Sequence, residues 1–209
     1  MNPPSWGIPV LLVVGVLVIA AGWWWDRPRT RKGAEGFTTE DDLLSHTPPS
    51  TLPDADLAAL LSARGAEPTL PGGVADREFL THPRSGVAAV RDPIVVVTDA
   101  PLEDERLILS LLDSARARSR PLVLVAPGFG FGLLGTLRAN HLTGRVTTLP
   151  IELADPDLLS RTAALCGTAV TPDADLRSGW LPESSRGTAA WWVADMDDSW
   201  VEGAPPVST

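Results

Sequence analysis

The most constraining feature of this sequence is an uncharged apolar run near its N-terminus. Residues 6–25 contain no charged side chain, and one aspartate and four basic residues follow within the next seven positions. About 20 apolar residues in a helix rise roughly 30 Å, which matches the hydrocarbon thickness of a bilayer. The three tryptophans that end the run stand where membrane helices carry an aromatic belt. The sequence therefore predicts one transmembrane helix over 6–25, preceded by a short tail, 1–5.

Basic residues flank this run on one side only, which gives the predicted helix an orientation. The positive-inside rule places residues 26–209 in the cytoplasm and the short tail outside. A cleaved signal peptide is the alternative, since Ala20 and Ala21 are small, although tryptophans occupy the usual cleavage position. The single cysteine, Cys166, suits a reducing compartment. We therefore expect a single-pass protein of a bacterial plasma membrane, in contact with the lipid bilayer through 6–25.

The composition of the chain is acidic. It has 26 acidic and 17 basic residues, a formal net charge of −9, and all basic residues but one are arginine, as in GC-rich genomes. An acidic body argues against nucleic acid or anionic lipid as the main partner. Two basic clusters, 27–32 and 116–120, fit either phosphate sites or, respectively, a lipid headgroup contact and a solvated helix end.

The rest of the chain divides into a tether, one domain and a tail. Residues 26–73 are a basic juxtamembrane segment followed by a tether, in which prolines and a glycine pair interrupt regular structure. A short helix over 54–64 within the tether could rest on the domain or recruit a partner. We expect residues 74–203 to form the folded domain and 204–209 to be a disordered tail.

The domain alternates between buried strands and helices. Its first strand is the β-branched run 94–97, and the following helix, 102–118, begins with acids and ends with arginines, which complement the helix dipole. This alternation predicts an α/β fold with a parallel sheet wrapped by helices. The further predicted elements are strands at 121–126, 145–151 and 168–170, helices at 132–142 and 157–166, and a closing hairpin of 189–194 with 198–201.

One motif in the domain has the letters of a dinucleotide-binding turn. Gly130, Gly132 and Gly135 follow a strand and open a helix, with Glu152 where a ribose-binding acid would lie. In the other interpretation, the glycines only shape the strand-to-helix turn, and Gly135 permits close packing. The three histidines are scattered, and no cysteine–histidine spacing suggests a metal. We therefore predict no enzymatic activity, no cofactor and no metal site.

Several blocks of the domain occur in the order that is seen in a known family. Residues 92–99 read D-P-I-V-V-V-T-D, a helix follows, and then 120–126 read R-P-L-V-L-V-A and 133–140 read L-L-G-T-L-R-A-N. This order resembles the apical domain of group I chaperonins (the GroEL family), over about 74–203. It implies a parallel-rich sheet with flanking helices and a small β part. It also implies an isolated apical-like domain, because the family's equatorial and intermediate domains, with the ATP site, have no counterpart in the sequence.

The same resemblance implies a binding groove. In the family, two parallel helices and an adjoining loop form an apolar groove that binds segments of non-native proteins. The positions that match the family's groove are Phe79, Leu109, Leu112, Leu134, Arg138 and Ala139. Periodicity supports part of this set independently, since Leu109 and Leu112 form a second stripe about 100° from the one suited to the core. Such a stripe either packs under the tether or is an exposed binding patch.

Two departures from the family pattern bear on this groove. Arg138 and Ala139 replace valines of the family, so less apolar area is available and binding should be weaker or more selective. Arg138 could also select a peptide that carries a carboxylate.

The sequence thus leads to three hypotheses about function. The first is a membrane-anchored, ATP-independent module that binds polypeptide segments or one membrane-proximal partner protein. The second is a structural scaffold in which the same patch docks permanently on a fixed partner. The third is a small nucleotide-binding enzyme that uses the turn at 130–135.

Overall fold

A mixed sheet forms the centre of the fold, within the residues that the computed structural model describes: 52–65, 67–177, 181 and 183–203. Among these residues, five strands follow the order β1-β5-β2-β3-β4, and β6 pairs with β5. The strands are β1 (Ala88–Arg91), β2 (Ile94–Val97), β3 (Leu122–Ala126), β4 (Thr148–Glu152), β5 (Gly187–Ala194) and β6 (Ser199–Gly203). The helices are α1 (Asp54–Ala63), α2 (Arg106–Ala117), α3 (Phe131–Leu142), α4 (Pro156–Leu165) and α5 (Asp173–Arg177). Single 3-10 turns lie at Arg77–Phe79 and Glu183–Ser185.

Strands β2, β3 and β4 form the parallel part of the sheet. Every residue of β2 and β3 is buried, which is why both strands are nearly continuous runs of Val, Leu and Ile. The predicted strands at 94–97 and 121–126 are confirmed to within one residue. The predicted strand at 168–170 is wrong: its Thr168 N–H donates to the carbonyl of Ala163 and so closes the end of α4.

Strand β5 organises the antiparallel part of the sheet. Its first two residues pair with β2, and its later residues pair with β1 on one side and β6 on the other. Gly187 permits this junction, because a Cβ there would lie 2.6 Å from the carbonyl oxygen of Cys166. The predicted closing hairpin is confirmed by β5 and β6. Strand β1 was not predicted, because its Ala88-Ala89 pair has little β propensity.

Helices flank the sheet, so the predicted α/β fold with flanking helices is confirmed. The sheet itself is mixed rather than the predicted parallel one, because two of its strand pairings are parallel and three are antiparallel. Helix α2 begins at Arg106, not at Leu102, because Leu102 pairs instead with the loop at Phe129. The units β2–α2–β3 and β3–α3–β4 are successive parallel crossovers. Since such crossovers are right-handed, α2 and α3 lie on the same face of the sheet.

Helix α1 packs on the domain through a second, smaller apolar core. Its buried leucines lie against β1, β5 and β6. Arg64, which follows α1, lies over the ring of Trp200, with 4.0 Å between the guanidinium carbon and the ring centre. The Leu70 N–H donates to the carbonyl of Ser199. The described part of the predicted tether therefore packs on the domain.

The predicted transmembrane helix at 6–25 lies outside the described residues, as do the tail 1–5, the first part of the tether and the C-terminal tail 204–209. Among the helices that the structure describes, none combines the length and the apolar character that a bilayer crossing requires. The membrane anchor, its orientation and the localisation stay predictions.

Candidate functional site

A hydrogen bond between side chains links α3 to the residue that precedes α2. The Thr136 hydroxyl of α3 donates to Oε2 of Glu105, the residue before α2, at 3.0 Å. Residues three or four apart share one face of a helix, so the residues that follow Glu105 and Thr136 at this spacing form one row on each helix. The α2 row continues to Leu109 and Leu112, and the α3 row continues to Ala139. We refer to the surface that these rows border as the α2–α3 groove, after the groove that the resemblance implies; a groove at this surface stays a prediction.

The two leucines of the α2–α3 groove differ in burial. Leu109 is 49% exposed, whereas Leu112 is 6% exposed and belongs to the main core. The reason is angular: Leu112 lies closer to the stripe of Ile108 and Leu111 that covers the sheet. Leu109 is therefore the leucine of this pair whose side chain is accessible from solvent.

The outward face of α3 carries small residues. Gly132, Gly135 and Ala139 are exposed, and a Cβ added at either glycine would meet no other atom within 4 Å. Another backbone can therefore approach this face closely. Phe131, the first residue of α3, is 87% exposed. Phe131 was not among the predicted site residues, although its spacing from the core residues Leu133 and Leu137 places it on a different face of α3.

The flank of α3 away from α2 faces an acidic turn at 76–79. Arg138 Nη2 lies 3.6 Å from Asp76 Oδ2, and its Nε contacts Glu78 Oε2. Asp76 also accepts a hydrogen bond from the Glu78 N–H at 3.1 Å, which shapes the turn. Only 22% of the Arg138 side chain is exposed. A carboxylate-selecting role for Arg138 would thus require an incoming carboxylate to displace two from the chain itself.

Leu134 and Phe79 lie beneath the same flank of α3, toward the core. Leu134 is partly buried against the main core, and Phe79 is fully buried. The Phe79 ring meets the His141 ring edge-on, with 5.6 Å between ring centres. These contacts fasten the acidic turn to α3, and they leave Phe79 inaccessible to a partner in this conformation.

His141 is buried in the same region of the core. Its Nδ1 accepts a hydrogen bond from the Thr148 N–H at 3.3 Å, which places the proton of the neutral ring on Nε2. Desolvation by burial lowers the pKa of His141 to about 4. The ring is therefore neutral near pH 7, and its role here is structural.

The glycine turn that precedes α3 is occupied by contacts within the domain. The Gly130 N–H donates to the carbonyl of Leu102 at 2.7 Å, and a Cβ at Gly130 would lie 2.9 Å from the carbonyl oxygen of Glu103. The expectation that Gly135 permits close packing is wrong, because the space beside it is open. A dinucleotide turn needs N–H groups free to bind phosphate, so this geometry does not favour the nucleotide-binding hypothesis.

The acidic side chains and the thiol of the described residues do not form a metal site or a reactive group. Among the described residues, no three His, Cys, Asp or Glu side chains lie close enough together to hold a metal ion. Asp195 Oδ1 accepts hydrogen bonds from the N–H groups of Asp197 and Asp198, so the acidic hairpin turn is held by its own backbone. Burial raises the pKa of the Cys166 thiol to about 12, which keeps it unreactive.

The structure divides the six residues that the resemblance implies into two sets on either side of α3. The set bordering the α2–α3 groove is Leu109, Leu112 and Ala139. The set on the flank toward the acidic turn is Phe79, Leu134 and Arg138. Their role in binding stays a prediction.

Comparison with known proteins bears on the fold. No model of a protein family matches the sequence. Similar solved structures include the chaperonin gp146 from the bacteriophage EL 2 (Pseudomonas aeruginosa) in the presence of ATP-BeFx. Its crystal form II has a TM-score of 0.51 at 19% identity, over 66% of this chain and 29% of that chain. Crystal form I has a TM-score of 0.51 at 20% identity, over 66% of this chain and 28% of that chain.

This likeness concerns a limited part of the larger protein. The chain spans less than a third of the length of the chaperonin that it matches. At 19–20% identity the likeness shows the fold, which is chaperonin-like. The resemblance that the sequence suggests is confirmed at that level.

Proposed function

We propose that this chain is a membrane-anchored, ATP-independent module that binds polypeptide segments, built on a chaperonin apical-like domain. The observation that carries the proposal is Leu109, a leucine 49% exposed at the α2–α3 groove of a chaperonin-like fold. A buried partner side chain there would gain roughly 25 cal/mol for each Å² of apolar surface removed from water.

The surface around Leu109 supports contact with an extended or helical segment. The small residues on the outward face of α3 leave room for a second backbone, and Phe131 adds a large exposed ring on the same helix. Exposed aromatic and aliphatic side chains of this kind act as anchors at protein interfaces. In this proposal a bound segment lies along α3, with an apolar side chain directed toward Leu109.

The binding surface is small, which favours selective rather than general binding. Phe79 and Leu112 are buried, and Arg138 is paired with the acidic turn. The apolar area that remains is less than the predicted set would provide. A scaffold with one fixed partner is therefore the second candidate, because a narrow patch with few anchors suits one complementary surface better than many sequences.

Independence from ATP is the part of the proposal that concerns chemistry. The Gly130 N–H is already donated to Leu102, and this loop is held against the loop before α2. The glycine turn then serves as a structural connection, and binding is driven by apolar burial alone. The chain acts on this view without catalysis.

The test compares two exposed leucines in the full-length chain, in mild detergent, by fluorescence anisotropy with apolar peptides and with a denatured protein. We expect Leu109→Glu to weaken peptide binding by at least about tenfold, because it places a charge in the groove. Leu165→Glu is the matched control, since Leu165 is 38% exposed on α4. Circular dichroism melting checks that both variants fold.

Three outcomes separate the candidates. Loss of binding in Leu109→Glu alone supports the peptide-binding module. Unchanged binding in a folded Leu109→Glu variant would overturn it. A stoichiometric complex with one membrane-proximal protein, together with no affinity for peptides or unfolded chains, would establish the scaffold instead.

A further inference from the structure

A cavity of about 390 Å³ opens at the amino ends of the parallel strands, away from the glycine turn. Four arginines line it: Arg91, Arg116, Arg120 and Arg145. They come from the end of β1, the last turn of α2, and the residues just before β3 and β4. The hydroxyl-bearing Ser119 and Thr147 line it as well. Its volume falls in the range of small-molecule sites, about 300–1,000 Å³.

Two of these arginines are placed by the same backbone arrangement. Ser119 follows α2 and Gly144 follows α3, each in the left-handed conformation, with φ of 52° and 67°. The next residue donates its N–H back into the helix, from Arg120 to Ala115 and from Arg145 to Asn140. Because backbone N–H groups already satisfy these helix-end carbonyls, the arginine side chains are not needed to cap the helices.

One of the four guanidinium groups is neutralised within the chain. Arg120 Nη2 lies 2.7 Å from Asp92 Oδ1 and also contacts the hydroxyl of Thr188. The side chains of the other three, Arg91, Arg116 and Arg145, form no hydrogen bond or ion pair with any described residue. Within the part of the chain that the structure describes, three guanidinium groups at one cavity therefore lack a counter-charge, although the formal net charge of the chain is −9. Such a local reversal of sign attracts an anion from solution.

We infer that this cavity binds a phosphate monoester. The phosphate of a monoester has three terminal oxygens and close to two negative charges near neutral pH, so it can accept hydrogen bonds from several guanidinium groups at once. A carboxylate has two oxygens and one charge and would leave guanidinium groups unmatched. The planar N–H fork of arginine fits phosphate oxygens in pairs. The apolar residues Ala115 and Val146 also line the cavity, and its volume of about 390 Å³ is enough for a small organic body together with a phosphate group.

The phosphate monoester can belong to a soluble molecule or to a lipid headgroup, and the test separates the two. The full-length chain in detergent micelles is titrated by calorimetry with inorganic phosphate, glycerol phosphate, and short-chain phosphatidic acid or phosphatidylcholine, and with the dicarboxylate glutarate as a non-phosphate control. We expect the phosphate monoesters to bind and to raise the melting temperature, because a ligand of the native state stabilises it by mass action. Response to glycerol phosphate identifies a soluble ligand. Response to phosphatidic acid alone identifies a headgroup.

The variant for this test is Arg116→Gln combined with Arg145→Gln, with Arg161→Gln as the control. Arg161 is an exposed arginine of α4 outside the cavity lining. We expect the double variant to bind at least about tenfold more weakly and the control to bind as the wild type does. Silence toward every phosphate probe, equal affinity for glutarate, or unchanged affinity in a folded double variant would overturn the inference. Peptide binding through Leu109 is measured separately, so either proposal can fail alone.

Discussion

At the scale of single residues, burial decides the chemistry of the titratable groups in the core. His141, near the end of α3, is only 2% exposed and accepts a hydrogen bond from Thr148 of β4. Its removal from water disfavours the charged form of the ring. Its lowered pKa has a consequence for stability. Between the folded pKa of about 4 and the ordinary value of 6.5, the unfolded chain binds a proton that the folded chain rejects. Stability is therefore lost as the pH falls through this window.

The first prediction follows from this difference in proton binding. Between pH 7 and pH 5, His141 alone should lower the free energy of unfolding by about 2 kcal/mol, at about 1.4 kcal/mol per pKa unit. His141→Gln retains an acceptor for the Thr148 N–H but does not titrate. Urea unfolding at both pH values should show a smaller loss in this variant. An equal loss in both proteins would contradict the assignment of the effect to His141.

At the scale of elements, α2 combines a core stripe with a groove-facing row. Leu112→Ala should lower the free energy of unfolding by about 2–5 kcal/mol, because it opens a cavity in the core. Leu109→Ala should cost less than about 1 kcal/mol, since half of the side chain is already in water. Denaturant unfolding of the two variants checks this order. A similar loss of unfolding free energy in the two variants would mean that Leu109 is covered in solution.

Helix α3 and the turn before it provide a second prediction at this scale, because Gly135 in the helix and Gly130 in the turn have different surroundings. Gly135→Ala should raise the free energy of unfolding by about 1 kcal/mol, since alanine is the better helix former and open space surrounds the site. Gly130→Ala should destabilise by about 1 kcal/mol or more, because its Cβ would meet the backbone of Glu103. Thermal unfolding of both variants is the measurement. Destabilisation by Gly135→Ala would show that this face is packed.

At the scale of the whole molecule, the domain has two apolar cores that share strands of one sheet. The main core lies around the parallel strands, and the second holds α1 against β1, β5 and β6. Residues 52–73 therefore contribute to the stability of the domain, in addition to linking it to the N-terminal part of the chain.

The prediction at this scale concerns α1. Leu60→Ala should lower the free energy of unfolding by about 2–4 kcal/mol, because Leu60 is buried in the second core. Ser62→Ala, at an exposed position of the same helix, should change it by no more than about 0.5 kcal/mol. Chemical unfolding measures both. An unchanged free energy of unfolding in the Leu60→Ala variant would show that α1 is detached from the sheet in solution.

Local patterns were sufficient for several elements. The runs Ile94–Val97 and Leu122–Ala126 are buried strands because β-branched and apolar side chains favour a sheet covered on both faces. The predicted start of α2 was less accurate, because Leu102 pairs with Phe129 in the following loop and does not join the helix. Strand β1 was missed because it exists through its pairing with β5, a segment about 100 residues away in sequence.

The candidate site, like the fold, could be predicted only in part from the sequence. Periodicity alone identified Leu109 and Leu112 as a separate stripe of α2, and a resemblance of blocks indicated a chaperonin-like fold. Only the tertiary structure decided that Leu112 is buried and Leu109 exposed, that Arg138 is held by an acidic turn, and that four arginines meet at one cavity. The physical reason is range: propensity and periodicity act between neighbours along the chain, whereas burial and charge pairing depend on residues that only folding brings together.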